Sequence, residues 1–171
     1  IAEGRRAYWV CPAVEDDADT PLVSAEARHR VLAEALGQAH VALVHGRMPG
    51  GQKDAAMADF AAGRVQVLVA TTVIEVGVDV PEATIMVIEQ ADAFGLAQLH
   101  QLRGRVGRGA GRSHCLLLAG EEIGETARAR LQILRETEDG FRIAEEDLRL
   151  RGAGDVLGHA QSGLPRFRIA D

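Results

Sequence analysis

The chain is short of several things that most proteins of its size use freely. Aromatic residues make up 4% of its 171 residues, so Ala, Val and Leu must supply the bulk of a hydrophobic fraction of 47%. Lys53 is its one lysine, which leaves arginine as nearly the whole cationic inventory. It has two cysteines, Cys11 and Cys115, each inside an apolar run. Such cysteines read as buried free thiols in a reducing compartment rather than as a disulfide framework. No apolar run approaches the length needed to cross a bilayer and no signal peptide is visible, which excludes a membrane partner and points to the cytoplasm. The first residue is Ile1 rather than Met, and the chain reads as a piece of a longer protein. A net charge of −6 argues against a nonspecific nucleic-acid coat. Two further absences concern nucleotide chemistry. There is no Gly-x-x-x-x-Gly-Lys-Ser/Thr phosphate loop, and no apolar strand ends in paired acids placed to hold Mg²⁺.

What is present is a regular alternation. Short non-alternating apolar runs at Ala7–Cys11, His40–Val44, Gln66–Ala70, Ile85–Glu89 and His114–Leu118 read as strands buried on both faces. Helical stretches fall between them, at Ser24–Leu36, ending at Gly37, at Gln52–Ala62, ending at Gly63, and at Leu96–Arg103. Strands alternating with helices imply βαβ units and a mostly parallel sheet. The pattern changes near residue 120. A helix over Glu125–Glu136, a break at Asp139-Gly140 and a helix over roughly Phe141–Leu150 follow, then an irregular glycine-rich tail. The expected organisation is an α/β domain over residues 1–119 and a helical hairpin with a loop over 120–171.

The densest signal is Gln-Leu-His-Gln-Leu-Arg-Gly-Arg-Val-Gly-Arg-Gly at 98–109. Arg103, Arg105 and Arg108 sit among glycines, and Arg103 to Arg112 holds four arginines and no acid. Glycine allows close backbone approach, and the arginine fork matches phosphate oxygens, so the segment reads as a polyphosphate grip. It is not a dinucleotide fingerprint, because its glycines follow a helix and lead into a strand. Two other segments are binding candidates. Val44-His45-Gly46-Arg47-Met48 follows a strand, where open parallel sheets bind ligands. Ala70-Thr71-Thr72 runs on to Gly77-Val78-Asp79-Val80-Pro81. Its hydroxyls and backbone N–H groups suit nucleic-acid phosphates, and Asp79 suits a ribose hydroxyl or an arginine. Arginine fingers without a nucleotide cradle suit a nucleotide held by another domain.

With these three motifs in this order, the chain resembles the second RecA-like domain of superfamily-2 helicases over about residues 5–119. Val44–Met48 looks like motif IV, Ala70–Pro81 like motif V, and Gln98–Arg108 like motif VI, Gln-x-x-Gly-Arg-x-Gly-Arg. The resemblance implies an α/β, RecA-like, P-loop-NTPase-type fold. It also implies that Arg105 and Arg108 reach the γ-phosphate of ATP, and that Gln101 touches the acidic Mg²⁺-binding motif. ATP and Mg²⁺ would be held mainly by an absent first RecA-like domain, so this piece alone is expected to be inactive. Gly77 and Asp79 would lie by the nucleotide, Asp79 near the ribose. His45, Gly46, Arg47, Thr71 and Thr72 would lie along the DNA.

The second part narrows the family. Asp139-Gly140-Phe141-Arg142-Ile143-Ala144, Asp147 to Gly154, and Gln161-Ser162-Gly163 are similar to the translocation motif shared by the RecG and Mfd families. Arg130, Arg151 and Gln161 fall at the positions that link hairpin to loop in that motif. Two adjacent helices each carrying an arginine could grip one anchor and pass helix movement to the loop. The tail from Gln161 to Phe167 and His100 before Gln101 look like RecG; the Ala93 that precedes Phe94-Gly95-Leu96 is closer to Mfd. The implied activity is that of an ATP-dependent double-stranded DNA translocase acting on stalled forks and recombination junctions. Its partners would be branched or duplex DNA, and the first RecA-like and wedge domains of the same full-length chain. The alternatives are an Mfd-type transcription–repair translocase and a non-catalytic binding module of helicase shape.

Overall fold

In the computed structural model the described residues are 4–12, 25–71, 80–109 and 111–157, with 151 and 153–157 described as backbone only. Five strands form one sheet: β1 (Arg6–Cys11), β2 (Val41–Val44), β3 (Val67–Thr71), β4 (Ala83–Ile88) and β5 (His114–Leu117). Their order is β2-β3-β1-β4-β5, and every pairing is parallel. The expected parallel sheet between helices is therefore observed. Parallel neighbours need crossover connections, and the helices supply them.

The three central strands separate two helical layers. Tyr8, Val10, Leu68, Ala70, Met86 and Ile88 point to one face and pack with Met57 and Phe60 of α2 (Gly50–Ala61) and Leu96, Leu99 and Leu102 of α3 (Leu96–Arg103). Tyr8 and Phe60 meet as tilted rings with centroids 4.9 Å apart. Ala7, Cys11, Val67 and Val69 point to the other face, against Ala25 and Ala33 of α1 (Ala25–Leu36). The expectation of strands buried on both faces fails at β5, where His114 and Leu116 are exposed. β5 is an edge strand, and α1 lies over the β2–β3 side of that face, leaving the β5 side open among the described residues.

After β5 come α4 (Glu125–Glu136) and α5 (Gly140–Leu157). The Asp139-Gly140 break separates them, and Asp139 also starts α5. Its Oδ1 accepts the Phe141 N–H at 2.9 Å and its carbonyl accepts the Ile143 N–H at 3.0 Å. The first bond satisfies a donor that a helix start leaves open, and the second is the first intrahelical bond of α5. α5 runs on through Gly152 and Gly154, where an irregular tail was expected. A glycine costs a helix only about 1 kcal/mol, and no proline interrupts residues 140–157. Leu134 of α4 and Ile143 of α5 are both buried in the same core as α3, so the hairpin rests on the sheet's helical layer.

Candidate ATP-facing and DNA-facing site

The parallel topology sorts the candidate residues to two edges. The His45-Gly46-Arg47 loop follows β2, and Thr71 ends β3, so all four lie at the carboxyl edge of the sheet. The loop is tied down from α2: Lys53 Nζ donates to the Gly46 carbonyl at 3.0 Å. Met48 N–H donates to the His45 carbonyl at 3.1 Å, closing the turn. His45 Nε2 lies 3.9 Å from Glu26 Oε1 on α1. Gly46 and Arg47 are exposed, whereas His45 and Thr71 are half-buried. Lys53 was not a sequence candidate; its being the sole lysine, seven residues after Gly46, was the available signal.

The arginine segment lies at the opposite edge. α3 carries the chain from the carboxyl end of β4 towards the amino end of β5, and residues 104–113 make the return. Gln101 is exposed on α3, Arg105 is half-buried in the turn after it, and Arg108 is exposed. Two bonds shape this turn: Arg105 N–H donates to the Leu102 carbonyl at 3.0 Å, and Arg108 Nε to the Gly104 carbonyl at 3.0 Å. Gly107 has φ +85°, a left-handed conformation that favours glycine. Gly109 runs so close to the Pro81 carbonyl that a Cβ there would lie 2.7 Å from its oxygen. The loop is thus seated against the segment that enters β4.

Arg103 requires a correction. It belongs to the same arginine run, but it points to the hairpin rather than with the other two. Its Nη1 donates to the carbonyls of Leu134 and Thr137, each at 2.7 Å, and its Nη2 lies 3.0 Å from His100 Nδ1. Leu134 is in the last turn of α4 and Thr137 is its C-cap, where carbonyls lack helical partners and the helix dipole is negative. The guanidinium therefore serves as a cap, in keeping with its unspecified position in the Gln-x-x-Gly-Arg-x-Gly-Arg pattern, though arginine spacing alone gave no sign of that role.

Arg130 of α4 makes the reciprocal contact. Its Nη1 donates to the Phe94 carbonyl at 2.6 Å, one residue before the N-cap of α3. Arg151 lies on α5, with its side chain outside the described residues. Thr72, Gly77, Asp79 and Gln161 also fall outside them.

A second feature escaped sequence reading. Glu89, at the carboxyl end of β4, is buried. It accepts the Trp9 indole N–H at 2.7 Å and pairs with Arg28 of α1, whose guanidinium lies 5.6 Å from the Trp9 ring centroid. This pins α1 to the sheet. Cys11 lies beside it. Burial, then the Glu89 carboxylate, push its thiol from 9.0 up to about 12, with Arg28 opposing. Burial also raises the Cys115 thiol, against the nearby Arg103. Both cysteines are free. Among the described residues, no group of His, Cys, Asp and Glu could hold a metal ion, and no helix is long and apolar enough to cross a membrane.

A parallel RecA-like sheet, with arginines at one edge and polar loops at the other, is the architecture of a helicase second domain. The chain belongs to the helicase conserved C-terminal domain family, which matches residues 1–110. A second family, ATP-dependent DNA helicase RecG, domain 3, C-terminal, matches residues 137–171. Over its whole length the chain is 54% identical to ATP-dependent DNA helicase RecG of Escherichia coli K12 and 48% identical to that of Bacillus subtilis. It spans 25% of the length of each. A solved structure described as RecG bound to a three-way DNA junction aligns with 98% of this chain and 21% of that one, at TM-score 0.75 and 44% identity. Dbp5 of S. cerevisiae bound to RNA and ADP BeF3 aligns at TM-score 0.56 and 16% identity, over 86% of this chain and 38% of that one, and shares the fold. This chain is thus the counterpart of a C-terminal portion of RecG.

Proposed function

We propose that the full-length protein is an ATP-dependent DNA helicase of the RecG type that remodels branched DNA such as stalled forks and recombination junctions. In this reading residues 1–119 act as its second RecA-like domain and 120–171 as its translocation hairpin and loop. The observation that carries the reading is α3, which leads directly into the turn carrying Arg105 and Arg108 while its start is held by Arg130 of the hairpin. One helix can therefore sense phosphate at one end and engage a moving part along its side.

ATP, with Mg²⁺ to neutralise its phosphates, would lie against a first RecA-like domain elsewhere in the full-length chain. Arg105 and Arg108 stabilise the charge that develops as the γ-phosphoryl group leaves, with Gln101 bridging to that domain's acidic motif. Gly77 and Asp79 contribute to the nucleotide pocket. At the carboxyl edge His45, Gly46, Arg47, Thr71 and Thr72 follow the DNA backbone. Such contacts are weak in sequence preference and sensitive to salt. Arg130, Arg151 and Gln161 pass movement of α3 to the loop on the duplex. A wedge domain in the same full-length chain would part the strands. The working compartment is the cytoplasm.

The test is Arg105→Ala in the full-length protein. An arginine finger is worth about 10³–10⁵ in rate, so ATP turnover falls by that order while DNA binding is kept. The chain of residues 1–171 alone turns over no ATP. Unchanged turnover in Arg105→Ala, or robust hydrolysis by the isolated chain, refutes the shared-site reading.

A further inference from the structure

We propose that Arg103, set by His100, is the positioning residue through which movement of the ATP-facing helix reaches the elbow of the hairpin. This rests on the function proposed above and assigns a role to two residues outside the arginine-finger pair.

α3 has two working sides. Arg105, two residues after Arg103, lies beyond the helix in the turn that leads to Arg108. Arg103 and His100 are half-buried, three residues apart, and so share one side of the helix. The Arg103 guanidinium joins two carbonyls at the end of α4, Leu134 and Thr137, at 2.7 Å each. Ionised donors make short, strong hydrogen bonds of this kind, and a planar fork holds two acceptors in fixed geometry. Guanidinium has no acceptor, so at the 3.0 Å contact it donates and His100 Nδ1 accepts. That leaves the His100 proton on Nε2. The Nε2 edge faces the first residue of α5: a Cβ at Gly140 would lie 3.3 Å from it. One imidazole therefore orients the arginine that caps α4 while it occupies the space beside the start of α5.

The elbow between the two helices, residues 137–139, is thus grasped from α3. Leu134 and Ile143 flank it, both buried, in one cluster with Leu99 and Leu102. Arg130 returns the tie to Phe94 at the other end of α3, at 2.6 Å. With a bond at each end, α3 and the elbow move as one body. A displacement of the finger turn pulls the hairpin at its hinge rather than sliding past it.

The experiment uses the full-length protein on a forked duplex, with ATP hydrolysis and unwinding measured together. In Arg103→Ala, DNA-stimulated hydrolysis stays within about twofold of wild type, while base pairs unwound per ATP fall about five- to a hundredfold, the range of a coupling between sites. Arg103→Lys keeps a cation at the end of α4 but cannot span two carbonyls and the imidazole, so its ratio lies between the two. If Arg103→Ala does not fold, the Lys variant decides. Amide exchange over residues 134–143 supplies a readout that a merely structural role does not move: a non-hydrolysable ATP analogue changes it in wild type and not in Arg103→Ala. A wild-type ratio of unwinding to hydrolysis in both variants overturns the inference, as does a parallel loss of both activities. A wild-type protein that shows no ATP-driven unwinding refutes the proposed function instead, which keeps the two failures apart.

Discussion

Changing Gly109 to alanine shifts the arginine loop, to which the finger role is proposed, without altering any arginine. The new Cβ would lie 2.7 Å from the Pro81 carbonyl oxygen and 3.6 Å from its carbon. That carbonyl cannot give way easily, because its segment is held on both sides. Ala83 N–H donates to the Val80 carbonyl at 2.9 Å, and Arg6 N–H to the Glu82 carbonyl at 3.4 Å. The loop must therefore retreat, by roughly 0.7 Å, to reach ordinary contact. Arg108 is the preceding residue and moves with it. A misplacement near 1 Å can cost about a hundredfold in rate, so the full-length Gly109→Ala variant should lose about ten- to a hundredfold in kcat for ATP. Gly109 itself is exposed, so the unfolding free energy from urea titration should change little, by less than about 1 kcal/mol. Gly111→Ala is the matched control, since its Cβ meets only Thr84 Cγ2, at 3.8 Å. Gly107→Ala differs again. Its φ of +85° strains any L residue by about 1–2 kcal/mol, while the contact at 2.7 Å is with the rotatable Ser113 hydroxyl. Steady-state hydrolysis with and without DNA checks the series. Wild-type kcat in Gly109→Ala, or an equal loss in Gly111→Ala, would refute the reasoning.

The remaining predictions concern the pinned α1 face. Glu89→Ala leaves the Trp9 N–H and the Arg28 guanidinium without their carboxylate and should cost about 2–4 kcal/mol in chemical denaturation, moderated because Arg28 keeps some access to water. Glu89→Gln retains an acceptor for Trp9 and should cost less; equal losses would mean that the charge alone matters. Cys11 has its folded pKa raised from 9.0 to about 12, so the unfolded chain ionises first as the pH rises. Its contribution to stability is complete below pH 9 and is lost between 9 and about 12. Cys11→Ala should therefore show a shallower alkaline loss of stability, with a residual slope from Cys115, which is raised in the same direction. In the native protein at neutral pH, Cys11 should resist alkylation until the fold opens.

Local order was legible in the chain because it depends on local physics. α3 and α4 begin and end where their periodicity and flanking glycines place them, and all five apolar runs became strands. The arginine–glycine run and the absent phosphate loop together pointed to half of a nucleotide site, and the polar loop after β2 pointed to a separate binding edge. These are statements about residue type and spacing, and they need no partner across space. α5 departed from expectation because a glycine's helical penalty is small enough to be outweighed.

Tertiary structure alone decided how the pieces meet. Strand order β2-β3-β1-β4-β5 puts the His45 loop and the arginine loop at opposite edges, and a linear reading orders them without placing them. It separated three arginines that look alike in sequence: Arg105 and Arg108 stay with the loop, while Arg103 closes the end of α4, 31 residues away. Glu89, Arg28 and Trp9 were brought together from three elements in the same way. Sequence spacing specifies which residues share a side of a helix. Which neighbour that side meets depends on how the apolar surfaces of the helices pack against the sheet, and the polar contacts form where that packing leaves them.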